Sequence, residues 1–396
     1  MVRVPVTGTV ESLEKWPYAY PLKDFTEGTT TFKVLDTSNI YDAPAFFNPV
    51  MCLNRDLSLL NVWVHHKERG RKLRIFEPLA GIGVRGFRLI NEVNEAIEKV
   101  VINDFGEIST DLARYNRTFI DDSKLIQYKR EARALAASLA ENSMKYHYVD
   151  LDPFGSPSPF IDSLWRIISN KGILAVTATD MTALAGVFPD AALRKYGGLP
   201  FNNDRTHETA VRLLLAMIAR SAARFEKGIE PLLSISSDHY IKVFIRVHEG
   251  RGKANASIRT LRSVYFCRHC QYFSFDNMDC HFSYHQNPAG AGPLWGGSIF
   301  NKDWCEKGMA ILHSLNLPTT KKIEKILSEG VEGIDIPYYY SLDQMASYLH
   351  VNTPKTTKLI EKLTILGYKA LKTTYRKQAL RTDAPYWILE KAIKGV

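Results

Sequence analysis

The sequence predicts an α/β fold: a Rossmann-like parallel sheet with helices on both faces, followed by a smaller α+β module. Three observations carry it. Apolar runs alternate with helix-spaced segments from "LRIF" onward, a turn Gly81-x-Gly83-x-x-Gly86 follows the first run directly, and carboxylates stand at the ends of two later runs, Asp104 and Asp152.

A chain of 396 residues exceeds one typical domain, so two are expected. The first is placed at residues 1–250, with 1–45 as an N-terminal extension, and the second at 251–396, with a cysteine-containing insert at 267–285. Lys and Arg exceed Asp and Glu by nine, which favours a polyanionic partner over a neutral small molecule. No run of about 18 apolar residues occurs and the first residues carry no signal-peptide core, so a cytoplasmic protein without membrane contact is expected. Nothing implies a stable protein partner.

Residues 1–45 alternate in stretches such as "TTTFKVLD" and read as short strands or a lid. Asn48 and Pro49 then supply an N-cap and a first-turn proline for the helix "VMCLNRDLSLLNVWVHHK". Strands are expected at "LRIF", "VVIND", "HYVDL" and "GILAVTATD", with helices at "GVRGFRLINEVN", "EISTDLARYNRTFI" and "SPFIDSLWRIISN". The long helix "HETAVRLLLAMIARSAARFEKG" leads into two further strands that close the module near residue 250. Toward the C-terminus, "SLDQMASYLHVNTPKTTKLIEKL" reads as helix, turn, helix, and the residues after it as a wing, giving a winged-helix-like part.

Function should sit where strands end. Gly81 and Gly83 allow a tight turn and close approach of backbone to a ligand, a pattern shared by dinucleotide-binding proteins and methyltransferases. Asp104, at the tip of the second strand, suits the paired ribose hydroxyls of an adenosine. Glu131 and Ala132 stand at the third strand-to-helix turn, where a carboxylate or amide reads an adenine edge or the acid simply serves the helix. Arg55 and Arg85 are fork-shaped donors for a carboxylate, or surface arginines.

Asp152-Pro153-Phe154-Gly155 resembles the [Asp/Asn/Ser]-Pro-Pro-[Tyr/Phe] motif of amino-methyltransferases. An exocyclic amine is a poor nucleophile because its lone pair is delocalised into the ring, so it needs acceptors that aim that lone pair. Asp152 supplies a carboxylate for this and for the released proton, and Phe154 a stacking surface for a base turned out of its helix. Capping of the next helix is the competing role for Asp152. Asp150 is read as structural.

The ordered segments "AFFNPVMCLNRDLS", "LAGIGVRGFR", "INDFGEIS", "DLDPFGSPSPFIDSLW", "GILAVTATDMTALAG", "GPLW" and "LRTDAPYW" resemble the tRNA guanine-N2 dimethyltransferase family, which modifies position 26 of tRNA. The resemblance spans nearly the whole chain. It implies a class I methyltransferase domain, S-adenosylmethionine as donor and two transfers to one guanine N2 of tRNA. It carries over Arg55, Gly81, Gly83, Arg85, Asp104, Glu131 and Ala132 to the cofactor, makes Asp152 catalytic, and adds Phe46 beside Pro153 and Phe154 in the base pocket. Members with zinc show two Cys-x-x-Cys pairs before "GPLW". Here the first is Cys267 and Cys270, but the second reads Cys280-His281-Phe282-Ser283, so zinc would need His281 or His285 as fourth ligand. A metal-free remnant held by Tyr272, Phe273 and Phe275 is the alternative.

Between residues 300 and 396 fifteen Lys or Arg stand against ten Asp or Glu. Lys355, Lys358, Lys362, Lys369, Lys372, Arg376 and Lys377 are expected to track an RNA backbone, or else to form a solvated face. The rival functions are a DNA amino-methyltransferase, a non-catalytic nucleic-acid-binding protein and a nicotinamide-dependent oxidoreductase, the last without a hydride-transfer constellation.

Overall fold

A computed structural model describes residues 8–37, 39, 42–237, 239–276, 289–334 and 336–395. They form two compact units. Met1–Thr177, Phe244–Glu249 and Glu306–Glu324 make the first, and Ala178–Val243, Gly250–Cys305 and Lys325–Val396 the second. The division is therefore not the single cut near residue 250 that the sequence suggested. Half of a strand and one later segment return to the first unit across long stretches of chain, which local patterns do not report.

In the first unit the strands are β1 (Thr9–Val10), β2 (Leu22–Glu27), β3 (Thr30–Leu35), β4 (Leu73–Glu77), β5 (Ile97–Asp104), β6 (Leu125–Lys129), β7 (Tyr146–Leu151) and β8 (Ile168–Ala178). The helices among them include α1 (Cys52–Arg69), α2 (Val84–Glu92), α3 (Glu107–Asn116) and α4 (Ala132–Glu141). The sheet runs β1, β6, β5, β4, β7, β8 and then the strand containing Phe244–Glu249. Neighbours from β6 to β8 pair in parallel, and β1 is antiparallel on β6. Ile75 faces Val100 on one side and Tyr148 on the other, so β4, β5 and β7 end at one edge. Strand order reverses between β4 and β7, the position at which such sheets bind ligands.

The strands are covered on both faces, which explains their continuous apolar runs: Leu73, Ile75, Phe76, Val100, Tyr148, Val149 and Leu151 are fully buried. Asn48 accepts from the Val50 N–H and Pro49 opens a 3-10 turn that leads into α1, which stops at Gly70 in the left-handed region. β2 and β3 form a hairpin whose Phe32, Val34 and Leu35 pack with Ile82, Val84 and Leu112. "SPFIDSLWRIISN" departs from the expected helix. Only Ile161–Leu164 is helical, and Ile168 already begins β8, because its β-branched residues are taken up by the sheet.

The second unit contains the helices Pro189–Tyr196, Thr206–Ala223 and Arg251–Arg259 and the three-stranded sheet of Leu261–Phe266, Phe273–Phe275 and Ala289–Trp295. It ends in helices Leu342–Leu349 and Thr356–Ile365, the short strands Ala370–Lys372 and Ala379–Thr382, and helix Tyr386–Lys394. Tyr340–Ser341 pairs with Ala379–Thr382 to complete a second three-stranded sheet. Leu342, Met345, Leu359, Leu363, Leu380 and Leu389 fill the core there, with Cys270 among them. Buried charges are matched: Glu208 meets Arg212 at 2.7 Å and Arg381 at 2.8 Å, and Glu329 meets Arg381 at 3.1 Å.

Candidate active site

The turn after β4 is shaped by its glycines and tied down by Asp104. Gly81 and Gly83 have φ of 54° and 83°, where a side chain is disfavoured. The Gly81 N–H donates to Asp104 Oδ2 at 2.7 Å and the Gly106 N–H to Oδ1 at 2.9 Å. Each oxygen keeps a second lone pair, so the carboxylate is oriented yet still able to accept two hydroxyls. A Cβ at Gly81 would meet only the Phe46 carbonyl within 4 Å, at 3.7 Å, so this backbone leaves room for a ligand. The donor and acceptor set fits an adenosine-containing cofactor.

Two further residues belong to this corner and were not singled out from sequence. Asn103 is buried and stitches the neighbouring loops, donating to Pro78 O and Arg130 O at 2.9 Å each and accepting from the Arg130 N–H at 3.0 Å. Phe105 follows Asp104 directly and is 71% exposed, an aromatic at a strand tip that sequence position alone could have flagged.

Glu131 takes the helix role. It caps α4, accepting from the Ala134 N–H at 2.9 Å while its other oxygen accepts from Arg133 at 2.8 Å. Each of its oxygens accepts one bond, and burial, which raises its pKa, is outweighed by those bonds, so the pKa is lowered. Ala132 opens the helix, where a backbone N–H has no partner within the helix.

Asp152 lies just past the end of β7 and meets a buried arginine. Arg85 Nη2 donates to Asp152 Oδ2 at 2.5 Å and to Asn54 Oδ1 at 2.9 Å, while Nη1 lies 3.4 Å from both Glu77 and Asp150. Burial works against this charge, but Asp150, Asp152 and Glu77 outweigh it and raise the arginine pKa further. Asp150 is fully buried and also accepts from Ser58 at 2.7 Å and Tyr148 at 2.9 Å, in keeping with a structural role.

Beside Asp152, Phe154 is 75% exposed and Gly155 has φ 74° with open space where a Cβ would be. Pro153 is buried. The Phe154 and Phe46 rings meet edge to face, 4.7 Å between centroids at 72°. The two aromatics therefore form a corner and not parallel plates, so a planar ring lying on one face meets the other wall at its edge.

Arg55 is also committed to a carboxylate. Its Nε and Nη2 grip Glu27 Oε1 and Oε2 at 2.6 Å and 2.5 Å, and Nη2 also donates to Asn48 O at 3.1 Å. Glu27 is shared with Arg88 at 2.7 Å, and Arg88 reaches Asp56 at 2.7 Å and Glu92 at 2.9 Å. Asp56 in turn accepts from the Thr319 N–H and hydroxyl. Neither Arg55 nor Arg85 is thus the open fork, or the surface residue, that the sequence suggested. Glu27, Asp56 and Arg88 carry no local motif that could have marked them.

In the second unit Cys267 and Cys270 are buried, and their loop is closed by bonds from the Cys267 N–H to Tyr272 O (2.8 Å) and the Gln271 N–H to Cys267 O (3.2 Å). Arg205 donates to Gln271 and Tyr339 O and lies 4.7 Å from the Phe266 ring centre and 5.7 Å from that of Phe273. Cys280, His281 and His285 lie outside the described residues; among the described residues, no group of three His, Cys, Asp or Glu is placed to hold a metal. Of the basic residues proposed to track RNA, Lys355, Lys358, Lys369, Lys372 and Lys377 are exposed. Lys362 instead donates to Ala392 O at 3.1 Å and Arg376 to Asp343 at 2.8 Å. No described helix is long and apolar enough to cross a membrane.

The family model described as N2,N2-dimethylguanosine tRNA methyltransferase matches residues 28–394. A tRNA (guanine(26)-N(2))-dimethyltransferase of Thermococcus kodakarensis is 33% identical, with 93% of this chain and 98% of that protein covered. The corresponding protein of Pyrococcus abyssi is 31% identical, covering 94% and 99%. Among solved structures, Trm1 from Pyrococcus horikoshii in complex with S-adenosyl-L-methionine matches with a TM-score of 0.82 at 28% identity, over 94% of this chain and 99% of that one.

Proposed function

This chain belongs to the N2,N2-dimethylguanosine tRNA methyltransferase family, and we infer that it methylates the exocyclic N2 of guanine 26 in tRNA twice, using S-adenosylmethionine. The observation that carries the reading is the meeting of Asp152 with the Phe46 and Phe154 corner at the edge of the sheet where Gly81 and Asp104 form a cofactor turn. S-adenosylmethionine supplies an electrophilic methyl group on sulfonium.

The chain does the rest by placement. Asp104 accepts the ribose hydroxyls, and Gly81 and Gly83 bring backbone close to the cofactor. The Ala132 N–H, at the start of α4, reads the adenine edge. Arg55 and Arg85 contribute positive charge toward the methionine carboxylate, while their hydrogen bonds go to Glu27, Asn48, Asn54 and Asp152. Phe154 and Phe46 hold the guanine, with Pro153 fixing the backbone between acid and ring. Asp152 accepts an N–H of the amine, which turns the nitrogen lone pair toward the methyl group. As the new N–C bond forms and the sulfonium becomes a thioether, the amine proton passes to Asp152.

The exposed lysines 355, 358, 369, 372 and 377 contact tRNA phosphates, and the C-terminal helices and strands act as a winged-helix-like binding part of the second unit. Were zinc bound, Cys267 and Cys270 would supply two of its thiolate ligands. The protein acts in the cytoplasm, where its tRNA substrate is found.

Replacing Asp152 with Ala tests the catalytic assignment. Transfer to tRNA is expected to disappear while calorimetry still detects binding of S-adenosylhomocysteine. Near-normal turnover of that variant would sink it.

A further inference from the structure

Asp152 is held at the end of a chain of side chains drawn from three elements. Asn54 of α1 donates through Nδ2 to Thr177 Oγ1, in β8, at 3.1 Å. Its Oδ1 accepts from Arg85 Nη2 of α2 at 2.9 Å, and that same nitrogen donates to Asp152 Oδ2 beyond β7. Asn54 and Thr177 are both fully buried.

A guanidinium nitrogen carries two hydrogens in fixed, divergent directions within a rigid plane. Asn54 takes one of them while Glu77 and Asp150 lie against Nη1, so the plane is fixed, the direction of the second hydrogen is set, and with it the position of the Asp152 carboxylate. Oδ2 is thereby engaged, and Oδ1 is the oxygen for the substrate amine. We propose that Asn54 is a positioning residue for Asp152, acting through Arg85, and that it governs how completely the second methyl group is added.

The reason lies in the two substrates. Guanine presents an amine with two N–H bonds, so Asp152 and a backbone carbonyl can share the task of orienting it. After the first transfer a single N–H remains, and aiming the lone pair depends on one acceptor. Slack in Asp152 therefore falls mainly on the second step, where a misplacement of about 1 Å can cost on the order of a hundredfold. This inference rests on the function proposed above.

The test compares wild type, Asn54→Ala, Asn54→Asp and Thr177→Val in single-turnover reactions with unmodified tRNA, scoring N2-methylguanosine against N2,N2-dimethylguanosine. Calorimetric binding of S-adenosylhomocysteine and thermal melting are followed alongside. Asn54→Ala should slow the second transfer about tenfold or more while slowing the first less, so that monomethylguanosine accumulates, with S-adenosylhomocysteine affinity retained. Asn54→Asp should restore dimethylation, because a carboxylate accepts from both Arg85 and the Thr177 hydroxyl. Thr177→Val, a milder change that serves if Asn54→Ala does not fold, should move the product ratio the same way by less.

An unchanged ratio in Asn54→Ala, or in Thr177→Val where the other variant does not fold, would overturn the proposal. So would equal slowing of both steps together with loss of S-adenosylhomocysteine binding. A wild-type protein that makes no methylguanosine would instead refute the function on which the inference rests.

Discussion

Glu27 and Arg55 face each other as a two-pronged ion pair, with contacts of 2.6 Å and 2.5 Å and both side chains buried. The pair joins the N-terminal hairpin to α1. Arg88 is bonded to the same carboxylate, and Asp56 and Glu92 hold it as well, whereas Glu27 is the carboxylate that grips Arg55.

Glu27→Ala leaves both guanidiniums short of a partner in a buried setting and is expected to cost about 3–5 kcal/mol, read by urea unfolding. The pH dependence has a definite sign. Burial raises the Glu27 pKa, but Arg55 and Arg88 outweigh that and hold it below the ordinary glutamate value. Its stabilisation is therefore present above the unfolded-state pKa, about 4.3, and is lost as pH falls through the lower folded value. Glu27→Gln should flatten this acid limb of the stability curve; an unaltered limb would contradict the assignment.

The two turn glycines should respond differently to alanine. At Gly81 a Cβ finds space, so the cost is that of the left-handed backbone, about 1–2 kcal/mol. At Gly83 the Cβ would also lie 2.7 Å from Phe87 Cζ and 3.1 Å from Ile102, adding about 1–3 kcal/mol of overpacking. Melting of the two variants should rank Gly83→Ala as the less stable.

Phe154→Ala removes a largely exposed ring, so the melting temperature should hardly move. Loss of stacking, worth about 1–3 kcal/mol, should raise the KM for tRNA roughly tenfold or more while the affinity for S-adenosylhomocysteine stays put. A fall in S-adenosylhomocysteine affinity instead would place this ring against the cofactor.

The residues legible in the sequence are those at strand ends. Gly81, Gly83, Asp104 and Asp152 each follow an apolar run, and the topology brings those ends to one edge, so local pattern and three-dimensional position coincide. What stayed hidden depends on partners far apart in sequence. Glu27 lies 28 residues from Arg55 and 61 from Arg88, and Asp56 lies 263 from Thr319. A charged residue shows no periodicity that reveals such a partner. For the same reason Arg85 read as an open fork, although Asp152, Asn54 and two further carboxylates surround it. Glu131 illustrates a local competition: the residue before a helix caps it, and the cap takes its carboxylate.

The most direct test is to incubate the protein with unmodified tRNA and methyl-labelled S-adenosylmethionine and to separate the nucleosides after digestion. The prediction is label in N2-methylguanosine and N2,N2-dimethylguanosine, lost when the guanine at position 26 is replaced. Label on another atom or base, or label that persists without that guanine, would contradict the account.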